Sequence, residues 1–253
     1  MKPCELRAFI ELVKRKQGSL DHFVFISQTC PGVYPLEMSV HGDLEPLASR
    51  YQERIQSGEN IPEMRSSCQS CLHFTPLNAD ISVSLIGEKD LDKNCSLFLN
   101  SEKGKALAEG MEGERREQDL NSPELKLFYD KRQEARKKLF DEMGTEIEGI
   151  KGLIKLFGKC IGCHACGYAC ALCYCDLCFF DSQTNESRPT SYQADLERKG
   201  ATRIPSGTLF YHLGRLAHMS VSCVGCGMCT DVCPVNIPVA TIFSRVGESV
   251  QKT

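Results

Sequence analysis

The sequence predicts an α+β protein in three parts: a small α/β domain over 1–115, a long linker helix within 116–157, and a cysteine-rich domain over 158–253. Three observations lead there. Helical and strand-like runs alternate up to about residue 115, an extended helical periodicity follows Ser122, and eleven of the sixteen cysteines lie beyond residue 158. With 253 residues, 42% hydrophobic and 25% charged, the chain has the composition of a globular protein long enough for two modest domains.

The first part opens with CELRAFIELVK, in which Leu6, Phe9, Ile10 and Val13 recur at helical spacing. HFVFIS is a short strand-like run. ADISVSLIG alternates Ile81, Val83 and Leu85, as a strand with one buried face does, and CSLFLN at 95–100 supplies another strand. So few strands are expected to form an incomplete sheet.

In the second part Ser122 suits an N-cap and Pro123 the first helical position, and Leu125, Phe128, Tyr129, Leu139, Phe140 and Met143 repeat at helical intervals. The charge run DKRQEARKK is expected to face solvent. Gly144, Gly149 and Gly152 are expected to loosen this helix into a joint before the cysteine-rich part. In the third part IPSGTLFYHLGRLAHMSVSC reads as an inserted helix with Leu209, Phe210, Leu213, Leu216 and Ala217 on one face.

A net charge of -3 gives no clustered cationic surface for nucleic acid or an anionic membrane. MKPCELRAFIEL lacks an apolar stretch of signal-peptide length, and no run approaches the ~20 apolar residues of a membrane helix. The expectation is a cytoplasmic chain with no membrane span. In that compartment thiols stay reduced, so most of the sixteen cysteines are expected to be metal ligands, reactive groups or small buried hydrophobes rather than disulfides.

Spacing decides which metal. Cys160, Cys163, Cys166 and Cys170 form CxxCxxCxxxC, and Cys223, Cys226, Cys229 and Cys233 repeat it, followed by Pro234. This is the pattern of two-cluster bacterial ferredoxins, in which the fourth cysteine of each run serves the other 4Fe-4S cluster. One cluster is therefore assigned to Cys160, Cys163, Cys166 and Cys233, and its neighbour to Cys223, Cys226, Cys229 and Cys170. A zinc ribbon also uses CxxC pairs, but it has no use for two triplet-plus-one runs. Gly162, Gly167, Gly225 and Gly227 would let backbone amides approach cluster sulfurs. His164 is a candidate donor to a cluster sulfur, against the plainer reading of an exposed loop histidine. His212 and His218 read as ordinary helix residues rather than ligands.

Four further cysteines stand apart: Cys4 in KPCEL, Cys30 in SQTCPG, and Cys68 and Cys71 in SSCQSC ahead of ADIS. Their order over roughly residues 1–115 resembles the coenzyme F420 hydrogenase/dehydrogenase beta-subunit family. That resemblance implies a third 4Fe-4S cluster on Cys4, Cys30, Cys68 and Cys71. By the same resemblance the family's glycine-rich amino-terminal portion, which helps to hold a flavin, would precede the PC turn, so the chain reads as amino-terminally truncated. Ser84 stands where the family's ADIS strand is expected to carry glycine, and Asn100 near an expected arginine. The carboxy-terminal part, notably VGCGMCTDVCPVNIP, is similar to dicluster ferredoxin modules of formate dehydrogenase beta subunits and heterodisulfide reductase complexes.

Cys95, Cys173, Cys175 and Cys178 exceed what three clusters need. Cys173, Cys175 and Cys178 could build a fourth metal site, with Cys95, His164 or a residue of a partner completing it, or Cys173 could replace Cys170 as ligand. The alternative is packing, since free cysteine buries readily beside aromatics such as Tyr174, Phe179 and Phe180.

The leading functional expectation is a non-catalytic electron-transfer subunit that passes single electrons between redox subunits of a hydrogenase, formate dehydrogenase or heterodisulfide reductase type of complex. The alternative is a subunit that oxidises or reduces a deazaflavin or nicotinamide through FAD shared with another chain. No GxGxxG, GxxxxGK or HExxH motif offers other chemistry.

Overall fold

The computed structural model describes residues 1–57, 61–88, 90–91, 93, 95–114, 122–147, 149–176, 178–181, 189–200 and 207–251. It is an α+β protein that divides into two units. The first comprises Met1–Leu139 and Val224–Gly227, the second Phe140–Cys223 and Met228–Thr253.

The first unit begins with α1 (Pro3–Lys14), followed by β1 (Ile26–Gln28), α2 (Leu36–His41), α3 (Leu44–Ser57), α4 (Ser66–Gln69), β2 (Ile81–Ser84), β3 (Ser96–Leu99), α5 (Glu102–Leu107) and α6 (Pro123–Glu146), which crosses the unit boundary. The sheet has the order β1-β2-β3. Ile26 pairs with Ile81 in a parallel ladder, and Ile81 with Leu99 in an antiparallel one. HFVFIS gives only Ile26 and Ser27 to the strand, because Phe23 and Phe25 turn to an aromatic group with Phe9 of α1.

β2 departs from the expected one-faced burial. Ser82 and Ser84 are buried along with Ile81, because the strand is central. A buried hydroxyl needs a partner, and Ser82 donates to the Pro76 carbonyl and accepts from Asn100 Nδ2 at 2.8 Å. Asn100 Nδ2 also donates to the Ala79 carbonyl. The polar residue at 100 thus closes the sheet edge onto the strand's entry loop.

That loop is further tied by Asp80. Its carboxylate accepts from Phe25 N at 2.8 Å and from the Ser101 hydroxyl, and the Ser101 side chain caps α5 by accepting from Gly104 N. Burial works against ionisation of Asp80, but these donors and the Lys103 charge outweigh it and hold the carboxyl below its usual range. Asp80→Ala is expected to cost on the order of 1–2 kcal/mol in chemical denaturation at neutral pH. The stabilisation is complete above the unfolded carboxyl's value, ~3.9, and is lost as pH falls through the lower folded value.

α6 starts as the sequence suggests, with Ser122 Oγ accepting from Leu125 N. Leu125 and Phe128 pack with Phe74 and Ile86 against Cys30. DKRQEARKK does not lie wholly in solvent: Arg132 is 1% exposed. Over 116–157 the described residues form α6 and α7 (Gly149–Phe157), and the joint expected among Gly144, Gly149 and Gly152 falls at Gly149, whose left-handed φ of 60° a continuing helix does not permit. Gly144 stays inside α6, where an added Cβ would lie 3.0 Å from the Arg245 guanidinium.

The second unit continues with α8 (Ala165–Tyr168), a 3-10 turn at Phe179–Asp181, α9 (Pro189–Lys199), α10 (Thr208–Met219), α11 (Met228–Asp231) and α12 (Val239–Gln251). Ile237, Val239, Ala240, Ile242 and Phe243 form much of its core. Among the described residues no helix is long and apolar enough to cross a membrane.

The buried face of α10 is not the apolar face read from the sequence. Phe210 is 75% exposed and Ala217 is exposed, while Tyr211, His212, Arg215 and Met219 are buried. A helix turns such polar groups inward only when something inside matches them.

Candidate metal centres

In the first unit cysteines from three separate stretches of sequence come together. Cys4 follows Pro3 at the start of α1, Cys30 leaves β1, and Cys68 and Cys71 sit on and just after α4. Thr29 fixes the strand exit, its Oγ1 accepting from Leu85 N and Ile86 N, and Cys30 N donates to the Phe74 carbonyl at 2.8 Å. Gly32 is required at its position: its φ is 117°, and a Cβ there would lie 3.1 Å from Cys68 Cβ and from Met64 Sδ.

The four thiols feel one another. Burial pushes Cys4 up to about 12, with the charges of Cys30, Cys226, Cys71 and Cys68 adding to it. Burial likewise raises Cys68 to about 11 and raises Cys30, against hydrogen bonds from the Val33 and Gly32 amides respectively. Buried together, Cys4, Cys30 and Cys68 resist ionising side by side unless a cation joins them. Arg132 braces the loops: it donates to the carbonyls of Cys30, Cys71 and Pro31, the last at 2.6 Å, and its guanidinium lies 4.1 Å from the Phe128 ring centroid. Arg136 donates to the Ser70 carbonyl at 3.0 Å.

The segment Val224–Gly227 belongs to this unit. Arg7 Nη1 donates to the Val224 carbonyl at 3.1 Å, and a Cβ at Gly227 (φ 83°) would lie 3.0 Å from Ser67 Oγ. Cys226 is thereby brought within electrostatic reach of Cys4.

In the second unit Cys160, Cys163, Cys166 and Cys233 line one cavity together with His164, Tyr211 and His212, and Ile237 and Val239 are among its apolar lining. Cys166 lies on α8, Cys233 just after α11, and α8 packs against α11. Two left-handed residues, Gly162 (φ 71°) and His164 (φ 56°), bend the first run around the cavity. Backbone amides point at the sulfurs: Gly162 N donates to Cys160 Sγ and Ile237 N to Cys233 Sγ, each at 3.4 Å.

α10 forms the other wall. His164 is no free loop residue, for its ring stacks on Tyr211 at 4.1 Å, and Phe157 stacks on His212 at 4.3 Å. His212 Nε2 lies 3.3 Å from Cys160 Sγ, and Arg215 Nη1 donates to Cys166 Sγ at 3.2 Å. Burial and the Arg215 charge lower His212 to about 4, so its ring is neutral near pH 7. Burial opposes the charge on Arg215, but Cys166 and Cys173 outweigh that penalty and raise its pKa.

The other sulfurs are placed as follows. Cys170 and Cys173 hydrogen-bond each other; that bond lowers Cys170 to about 5 and raises Cys173. Cys170 falls with Cys223 and Cys229 in the second unit, whereas Cys226 falls in the first. Cys95 and Cys175 are exposed and Cys178 is half-buried. Among the described residues no three His, Cys, Asp or Glu side chains converge closely enough to hold a single metal ion. The sequence reading missed Arg132 and Arg215. Arg215 carried a signal: it is the one Lys or Arg in TLFYHLGRLAHM, and it stands one helical turn after His212.

The donor sets fit an iron-sulfur centre, because crowded thiols met by backbone amides and buried arginines are the surroundings such a negatively charged group needs. Residues 37–121 match the family model for the carboxy terminus of the beta subunit of coenzyme F420 hydrogenase/dehydrogenase. The chain is related to this beta-subunit family. The F420-dependent formate dehydrogenase subunit beta of Methanocaldococcus jannaschii is 27% identical, aligned over 100% of this chain and 70% of the relative. The F420-dependent formate dehydrogenase 1 subunit beta of Methanococcus maripaludis is 29% identical over the same shares. Of the dispersed quartet in this beta-subunit relative, Cys68 and Cys71 lie inside the matched region, and Cys4 and Cys30 precede it.

Proposed function

We propose that this chain is the iron-sulfur electron-transfer subunit of an oxidoreductase complex of the formate dehydrogenase type, carrying electrons singly between its redox subunits. The observation that carries the reading is the gathering, within each unit, of cysteines from separate stretches of sequence: Cys4, Cys30 and the pair Cys68 and Cys71 in one, the run Cys160, Cys163 and Cys166 with Cys233 in the other. Each set would hold a 4Fe-4S cluster. A third, on Cys223, Cys226, Cys229 and Cys170, stands on the repeated spacing and completes a two-cluster ferredoxin-like module. An iron-sulfur cluster supplies one-electron storage at a potential set by charge and hydrogen bonding around it.

The protein's own residues do the rest. Amides of Gly32, Val33, Gly162 and Ile237 meet ligand sulfurs, Arg132 fixes the loops that present Cys30 and Cys71, and the apolar residues Ile237 and Val239 shield one site from water. Cys226 and Cys4 lie in one unit within electrostatic reach of each other. The names of the relatives support partners that are other redox subunits of such a complex.

Anaerobic purification followed by iron, acid-labile sulfide and zinc analysis tests the reading. About twelve irons and twelve sulfides per chain are expected, with paramagnetic signals on reduction. A colourless, sulfide-free chain with zinc at these cysteines would overturn it.

A further inference from the structure

Two buried side chains of α10 have unmet hydrogen-bonding capacity beside the cavity of the second unit. His212 is 1% exposed and Arg215 4%. Burying a histidine and a guanidinium costs several kcal/mol unless an anion or acceptor matches them. Among the described residues the hydrogen-bonding atoms found for them are sulfurs, Cys160 for His212, and Cys166 and Cys173 for Arg215. His212 Nδ1 and Arg215 Nε and Nη2 have no partner there within hydrogen-bonding distance. The Arg215 guanidinium also lies over the Phe243 ring, 5.4 Å from its centroid, and Gly214 beside it lies against Phe180, so the helix cannot turn these groups outward without unpacking.

Arg132 in the first unit offers a contrast. Both arginines are buried over aromatic rings beside a cysteine set. Arg132 directs its donors to the carbonyls of Cys30, Cys71 and Pro31, whereas Arg215 directs one to a thiol sulfur. The first arrangement holds loops, and the second touches the ligand atoms themselves.

We propose that His212 and Arg215 are potential-setting residues: by donating to Cys160 Sγ and Cys166 Sγ respectively, they raise the reduction potential of the cluster at Cys160, Cys163, Cys166 and Cys233. The inference rests on the cluster assignment above. Reduction adds one electron, and with it one negative charge, to the site. A fixed cation and hydrogen bonds to ligand sulfurs stabilise that added charge more than they stabilise the oxidised form, so the midpoint moves up. A thiolate accepts but does not donate, which places the shared proton on His212 Nε2. Arg215 remains charged at any working pH, so its contribution is constant.

The test is a redox titration of the full chain, purified anaerobically, with dithionite as reductant and electron paramagnetic resonance as readout, alongside iron and sulfide counts. Arg215→Gln and His212→Phe are each expected to shift the midpoint of one cluster to more negative values. It should be the same cluster in both, with the remaining signals unmoved and iron content kept. Arg215→Lys, which keeps the charge but loses the planar donor geometry, should shift less than Arg215→Gln. If Arg215→Gln loses iron, Arg215→Lys and His212→Asn carry the same comparison. Unchanged or more positive midpoints in iron-replete variants overturn the inference alone. A wild-type chain with no reducible cluster overturns the function proposed above together with it.

Discussion

Arg132→Met is expected to remove one cluster and to destabilise the first unit by on the order of 3–5 kcal/mol, the range for stripping one side of a buried charged network. The cause is local. Arg132 donates to three carbonyls on the two loops that present Cys30 and Cys71, and methionine can fill its volume over Phe128 and Phe74 without replacing any of those bonds. Burial lowers the pKa of Arg132, and the charges of Cys71, Cys68 and Cys30 offset part of that lowering. Iron analysis should read about four irons fewer per chain, and denaturant unfolding a lower midpoint. Arg132→Lys should fall between, because one ammonium cannot reach three separated carbonyls in the plane of a guanidinium. Full iron content with an unchanged unfolding curve in Arg132→Met would show that the loops hold themselves.

Cys233→Ser is expected to strip a different cluster, taking the iron count from about twelve to about eight per chain while leaving the Cys4, Cys30, Cys68 and Cys71 site loaded. Cys233 comes from the second run but lines the cavity of the first, with its Sγ accepting from Ile237 N. The variant therefore separates crossed from uncrossed ligation. Under crossed ligation, the signal lost in Cys233→Ser is the one that shifts in Arg215→Gln, since both residues act on the same cavity. Under uncrossed ligation a different signal would be lost, and the assignment of Cys233 would fail. Because cluster binding is also folding energy, the second unit should unfold more readily in Cys233→Ser than in the parent.

Other features of these sites bear on how far the sequence could be read. The strands at 81–84 and 96–99 and the helices at 3–14 and 123–146 were visible because apolar spacing and a Ser-Pro start are local signals. The pairing of the strands was not, since a central position for β2 depends on which neighbours cover it. Ser82 and Ser84 show this: their alternation reads as a solvent face until Pro76 and Asn100 supply bonding partners to Ser82. The charge run around Arg132 and the apolar run Leu209, Phe210, Leu213 misled for a related reason. Hydrophobicity says which face prefers to be dry, but a buried cysteine set creates a demand for cations and donors that outweighs it at Arg132, His212 and Arg215.

By itself the sequence determined the chemistry available: sixteen thiols, two repeated runs and a dispersed quartet, in an α+β chain related to F420-type beta subunits. Tertiary structure decided which thiols share a site and what surrounds them. Ligand spacing is written along the chain, where neighbours in sequence are neighbours in space. A sulfur's electrostatic environment comes from helices up to about a hundred residues away, such as the one carrying Arg132, and only folding brings those charges within hydrogen-bonding distance.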